Sequence, residues 1–156
     1  MRKSLRAIIL ALICFALVVI PASASIGIGL GCGFKFDLGS IKKKQTYHVG
    51  QMCILNTGTE AGWFHMDTSS LYQQPELRVP KEWVKFTPET FWLEPCTRYE
   101  TGGYSCPFDV AQKVVQVDLV VPAKARFGDY FAYLEGCTGQ TIGACVAAPL
   151  RLKVVR

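Results

Sequence analysis

The chain has 156 residues, half of them hydrophobic, with seventeen basic and twelve acidic side chains and a formal charge of +5. Three of the basic residues and none of the acids fall in the first 24 positions, so residues 25–156 carry a balance of only +2, which argues against a nucleic-acid partner. Those 132 residues are one domain's worth, enough to bury roughly two-thirds of their unfolded surface.

Arg2, Lys3 and Arg6 open the chain, Ala7 to Ile20 is an uninterrupted apolar run, and Pro21 precedes Ala22-Ser23-Ala24. A basic start, an apolar stretch and an A-x-A site together read as an export signal, and cutting after Ala24 leaves Ser25 as the new N-terminus. The rival reading is an uncleaved anchor, for which Ala7 to Ala24 is barely long enough, since a membrane helix needs roughly 20 residues. The expected organisation is a helical signal peptide over 1–24 and a single domain over 25–156, secreted or at the cell surface. Contact with a membrane is expected only through an uncleaved leader.

In SIGIGLGCGFKF, residues 25–36, Ile26, Ile28, Leu30, Cys32, Phe34 and Phe36 alternate with Gly27, Gly29, Gly31, Gly33 and Lys35. Period-two alternation marks a β-strand, and glycines along one face imply a close neighbour there or an adaptable strand. Two readings stay open. Ile26, Ile28 and Leu30 complete the core face of the first strand, with the glycines letting an edge strand switch sheets or lie under a loop. Alternatively, Ser25 to Gly31 is an assembly strand that adds to the next subunit, the same three side chains filling alternate pockets.

Further along, Gln45 to Leu55 alternates and ends at Asn56-Thr57-Gly58, a turn signal. Lys42-Lys43-Lys44 reads as a solvated turn. Trp63 to Met66 is a short strand, followed by a polar stretch rich in Ser and Gln. Trp83 to Phe86 and Phe91 to Leu93 are short runs punctuated by Pro88 and Pro95, Lys113 to Val121 alternates and stops at Pro122, and Tyr130 to Leu134 and Val146 to Val155 complete the series. About seven strands with frequent turns give an all-β fold, a two-sheet antiparallel sandwich. Gly128-Asp129-Tyr130 suits a tyrosine corner.

Cys14 leaves with the leader, and Cys32, Cys53, Cys96, Cys106, Cys137 and Cys145 remain. An even count in an exported chain reads as a disulfide framework, although six cysteines allow fifteen connectivities. Facing residues of a hairpin are equidistant from its turn. Cys32 and Cys53 centre between Lys42 and Lys43, Cys96 and Cys106 on Thr101, and Cys137 and Cys145 on Thr141, all turn-like sequence. The predicted pairs are therefore 32–53, 96–106 and 137–145, each contributing roughly 2.5 to 3.5 kcal/mol on chain-entropy grounds. Zinc would need CxxC spacing, and His48 and His65 are isolated, so no metal or other cofactor is expected.

Several stretches line up in the order seen in bacterial and archaeal immunoglobulin-like surface modules: Val49-Gly50, Leu55-Asn56-Thr57-Gly58, Pro80-x-x-Trp83-Val84-x-Phe86-x-Pro88, Phe91-x-Leu93-x-Pro95, Leu119-Val120-Val121-Pro122, Ala125 and Gly128-Asp129-Tyr130. Over roughly residues 45 to 136 the chain resembles the modules attached to α-galactosidases and repeated in large archaeal surface proteins. The resemblance implies an immunoglobulin-like β-sandwich with Trp83 and Phe91 in the core, and it implies no particular ligand. Where such modules have Pro-Gly, this chain has Pro95-Cys96 and an insertion, Thr97 to Pro107.

No nucleophile elbow, zinc-protease motif or phosphate loop occurs, and the carboxylates are scattered. The chain is expected to act by binding or assembly, with another protein subunit or a cell-surface component as partner, and not as an enzyme. A polysaccharide is the alternative partner, through a ligand platform of Trp63, Trp92, Tyr99 and Tyr104, because sugar rings stack on aromatic faces. With Phe91 inside, strand alternation places Trp92 outside.

Overall fold

The computed structural model describes residues 25–69, 77–139 and 143–156. The leader over 1–24 and most of the Ser- and Gln-rich stretch after Met66 lie outside these residues. Twelve β segments form an immunoglobulin-like sandwich: β1 (Gly29–Cys32), β2 (Phe36–Lys42), β3 (Gln45–Leu55), β4 (Gly62–Ser69), β5 (Leu77–Arg78), β6 (Val84–Thr87), β7 (Thr90–Leu93), β8 (Thr97–Arg98), β9 (Tyr104–Ser105), β10 (Gln112–Val121), β11 (Gly128–Thr138) and β12 (Cys145–Val155). One sheet runs β1-β3-β10-β6 and the other β2-β12-β11-β4-β7, with β5 beside β11, while β8 and β9 form a separate hairpin.

The alternating runs become strands because alternation gives each a core face. Val115, Val117, Leu119 and Val121 of β10 meet Ala148, Leu150, Leu152 and Val154 of β12 in one buried cluster, which Met52, Ile54, Phe64, Leu93 and Leu134 also join. Phe91 and Phe64 stack in parallel inside, centroids 6.1 Å apart. Tyr130 is buried, its hydroxyl accepts from Arg126 N–H at 3.1 Å and donates to Arg126 C=O at 3.0 Å, and its ring lies 5.2 Å from that of Trp83. This is the tyrosine corner, closed locally over four residues.

The first strand switches sheets, as one reading of its glycines has it: the chain leaves one sheet at Cys32 and joins the other at Phe36. The crossing depends on Gly33, whose φ is +75° and where an added Cβ would lie 2.2 Å from the Gln51 carbonyl oxygen. As a result β2 pairs in parallel with β12; β5 separately pairs in parallel with β11, so the second sheet is mixed and not purely antiparallel. Trp83 closes a short 3-10 turn (Lys81–Trp83) and the strand begins at Val84, because the turn starts on Pro80, whose C=O accepts from Trp83 N–H.

Disulfides join Cys32 to Cys53, Cys96 to Cys106 and Cys137 to Cys145. Cys137 and Cys145 face each other across β11 and β12, and Cys96 and Cys106 flank the β8–β9 hairpin. Cys32 and Cys53 face each other across β1 and β3, but contrary to the hairpin expectation these strands are not a hairpin, since the connection between them passes through β2 in the opposite sheet.

Candidate interaction surface

The N-terminal segment builds the first part of the surface. The Ser25 carbonyl accepts from Thr59 N–H at 2.8 Å, and Ser25 N–H reaches the Thr59 hydroxyl at 3.1 Å, which ties the segment to the loop after β3. Ile26, Ile28 and Leu30 pack on the core, half-buried. A Cβ built on Gly62 of β4 would lie 2.4 Å from Ile26 Cδ1, and one on Gly136 of β11 would lie 3.6 Å from Ile28 Cδ1. Both glycines belong to the sheet opposite β1, so the two isoleucines enter the slot between the sheets at its open edge.

The bare face is explained by the loop that lies on it. A Cβ at Gly27 would come 2.6 Å from Gly58 N, and one at Gly58 would come 2.2 Å from Gly27 N, so two backbones meet where no side chain fits. Gly29 and Gly31 instead face the side chains of Thr57 and Leu55. Asn56 shapes that loop: its amide donates to Glu60 C=O at 2.8 Å and Leu93 C=O at 3.1 Å, while its side-chain oxygen accepts from Gly58 N–H at 3.0 Å. Its backbone bonds Ala111 C=O and Cys96 N–H as well. The sequence reading took Asn56 only as a turn signal; asparagine alone before a glycine-containing loop gives no hint of a five-bond hub.

Aromatic side chains gather at the same end of the sandwich. Trp63 and Trp92 are cross-strand neighbours on the outer face of β4 and β7, 58% and 46% exposed, with centroids 5.6 Å apart and ring planes at 74°. Trp92 Nε1 donates to Glu94 at 3.2 Å. Rings set edge to face offer a sugar one indole face at a time and no shared flat platform. Tyr99 and Tyr104 lie apart from this pair on the hairpin closed by Cys96 and Cys106, and the exposed Phe108 and Val110, which the sequence reading missed, follow directly. A cleft of about 390 Å³ lies beside Trp63, lined by Phe64, His65, Thr90 and Gly139.

Burial works to raise the Asp67 carboxyl, but the Lys81 ammonium 2.6 Å away and the Thr68 N–H outweigh it and hold the group below the usual carboxylate range. His48 Nδ1 lies 3.0 Å from Asp118 on an exposed strand face. Glu135, Cys137 and Cys145 come within metal-binding distance of one another, yet the two sulfurs are bonded together and offer no thiolate.

No family model and no curated protein sequence matches the chain. Among solved structures it is similar to the E. coli chaperone DraB, with a TM-score of 0.46 and 10% identity over 83% of this chain and 54% of that one. It is similar to the SafB chaperone of Salmonella enterica, solved in complex with the SafA pilin, at a TM-score of 0.47 and 8% identity over 85% and 56%. A family 123 glycoside hydrolase of Clostridium perfringens gives a TM-score of 0.50 and 10% identity over 85% of this chain and 28% of the enzyme. The chain thus spans just over half the length of those chaperones and about a quarter of the hydrolase. At such identities the likeness concerns the fold.

Proposed function

We propose that this protein works outside the cytoplasm, secreted or on the cell surface, as a non-enzymatic immunoglobulin-like module that assembles with another protein subunit. The observation that carries this reading is the slot between the sheets, filled by Ile26, Ile28 and Leu30 from a segment that is covalently pinned only at Cys32. An edge slot that accepts an extended strand with apolar side chains at every second position can accept the same strand from a neighbouring copy. Residues 25–31 span roughly 23 Å when extended, enough to leave one slot and reach a neighbour's. The leader pattern ending at Ala24 supports the reading, because cleavage there frees Ser25 as the tip of the strand. The resemblance to surface modules of bacteria and archaea agrees with the location, and residues 25–156 act as one domain.

Trp63 and Trp92 favour a second reading, in which one exposed indole face stacks on a polysaccharide. The two readings separate in one experiment. The chain from Ser25 and a chain beginning at Cys32 are sized across a concentration series, each with and without a synthetic peptide of residues 25–31. Assembly by strand exchange gives oligomers from the first chain alone, and capture of the peptide by the second. Equal assembly by both chains removes this reading, and retention on polysaccharide that is lost on Trp63→Ala or Trp92→Ala replaces it with the other.

A further inference from the structure

The end of the sandwich opposite Ser25 concentrates positive charge that the sequence scatters. Lys42, Lys43 and Lys44 form the turn between β2 and β3, and Lys44 N–H bonds Val121 C=O at 2.8 Å, which brings the turn against the end of β10. Lys43 Nζ sits 3.6 Å above the ring of exposed Phe127, in the loop that carries Lys124 and Arg126. Arg78, Lys124 and Arg126 line one cleft of about 280 Å³ with an apolar floor of Pro80, Trp83, Pro122, Ala125 and Tyr130, and among the described residues Glu82 is the carboxylate on its wall.

Lys42, Lys43, Lys44, Lys124 and Arg126 thus share one end of the domain, where Asp129 pairs with Lys153 at 3.8 Å. Cations clustered beside a cleft make an anion-attracting field. We propose that this pole binds an acidic polysaccharide, one sugar unit resting in the cleft and its carboxylates or sulfates spread over Lys124, Arg126 and the Lys42–Lys44 turn. Guanidinium forks match carboxylate and sulfate oxygens in pairs, and the apolar floor suits the C–H face of a sugar ring. The cations extend beyond the cleft onto the turn, so a polymer engages more of them than a single small anion does.

The geometry favours a polymer over a lipid surface. Ser25 is held at Thr59, beyond the Leu55 end of β3, while the lysine turn lies beyond its Gln45 end. Eleven strand residues separate the two poles, roughly 36 Å. A chain still attached to a membrane through residues 1–24 therefore holds the cationic pole away from that membrane.

The test uses the exported, oxidised protein on three probes: heparin for sulfated chains, polygalacturonate for carboxylated chains, and phosphatidylserine vesicles. Retention on either polymer that weakens with salt is the expected result, and the better of the two identifies the acidic group. Lys124→Gln with Arg126→Gln is expected to weaken that retention about tenfold or more. Lys35→Gln with Lys113→Gln removes the same charge elsewhere and is expected to leave retention nearly unchanged. Equal losses from the two pairs, passage over both polymers at about 0.15 M salt, or binding to the vesicles alone would each overturn the proposal.

Discussion

Asn56 is the only asparagine in the chain and its side chain is fully buried. It satisfies the loop after β3 from three sides, so the loop that covers the N-terminal strand depends on one amide. Asn56→Ala leaves the Glu60 and Leu93 carbonyls and the Gly58 N–H without that partner. A net loss of about 1 kcal/mol per hydrogen bond, more where a buried group stays unsatisfied, gives an expected destabilisation of about 3 kcal/mol, read as a lower denaturant midpoint with the disulfides intact. Protection of residues 25–31 against proteolysis is expected to fall in the same variant. The asparagine was legible as a turn residue, since Asn-Thr-Gly is turn chemistry. Its partners were not, because Leu93 lies 37 positions away.

At the scale of elements, the β8–β9 hairpin is the least supported part of the fold. It has two facing residue pairs, Thr97 with Ser105 and Arg98 with Tyr104, and it joins neither main sheet. Two-residue strands in an isolated hairpin do not hold themselves together in water. The Cys96–Cys106 bond, closing a separation of ten residues, contributes about 2.5 kcal/mol on chain-entropy grounds. Replacing both cysteines with alanine is expected to open the hairpin while the sandwich stays folded, seen as fast amide exchange confined to 97–105. Loss of the cooperative transition for the whole domain would show instead that the staple supports the core. The strands themselves were legible: Gln45 to Leu55 is β3 from end to end, bounded by the lysine turn and by Asn56-Thr57-Gly58, although it buries Met52, Cys53 and Ile54 in succession and so does not alternate throughout. A switch of sheets was legible as one reading of the glycine-rich run, but its place at Gly33 was not, since β1 and β2 read as one alternating run.

For the whole molecule, the three disulfides, the exposed aromatics Trp63, Trp92, Tyr99, Tyr104 and Phe108 and the exposed Val110 lie toward one pole, and the lysine turn and its cleft at the other. Three staples at roughly 2.5 to 3.5 kcal/mol each total about 8 kcal/mol, comparable with the 5 to 15 kcal/mol that holds an ordinary domain. Reduction of all three is therefore expected to bring the unfolding midpoint down to near ambient temperature, measured by circular dichroism with and without reductant. A midpoint that hardly moves would mean that the apolar cluster between the sheets suffices alone.

The sequence by itself determined the all-β class, the positions of the long strands and the neighbours Cys96–Cys106 and Cys137–Cys145, because period-two patterning and turn chemistry act over a few residues, whereas Cys32 and Cys53 meet across strands that form no hairpin. Only the tertiary structure decided that the N-terminal isoleucines enter a slot between sheets, that Gly27 meets Gly58, that Trp63 and Trp92 stand edge to face, and that lysines and arginines from three separate segments share one pole. Those outcomes depend on which strands become neighbours. Neighbours in a sandwich are chosen by long-range burial, and local patterning carries no record of which strands that burial joins.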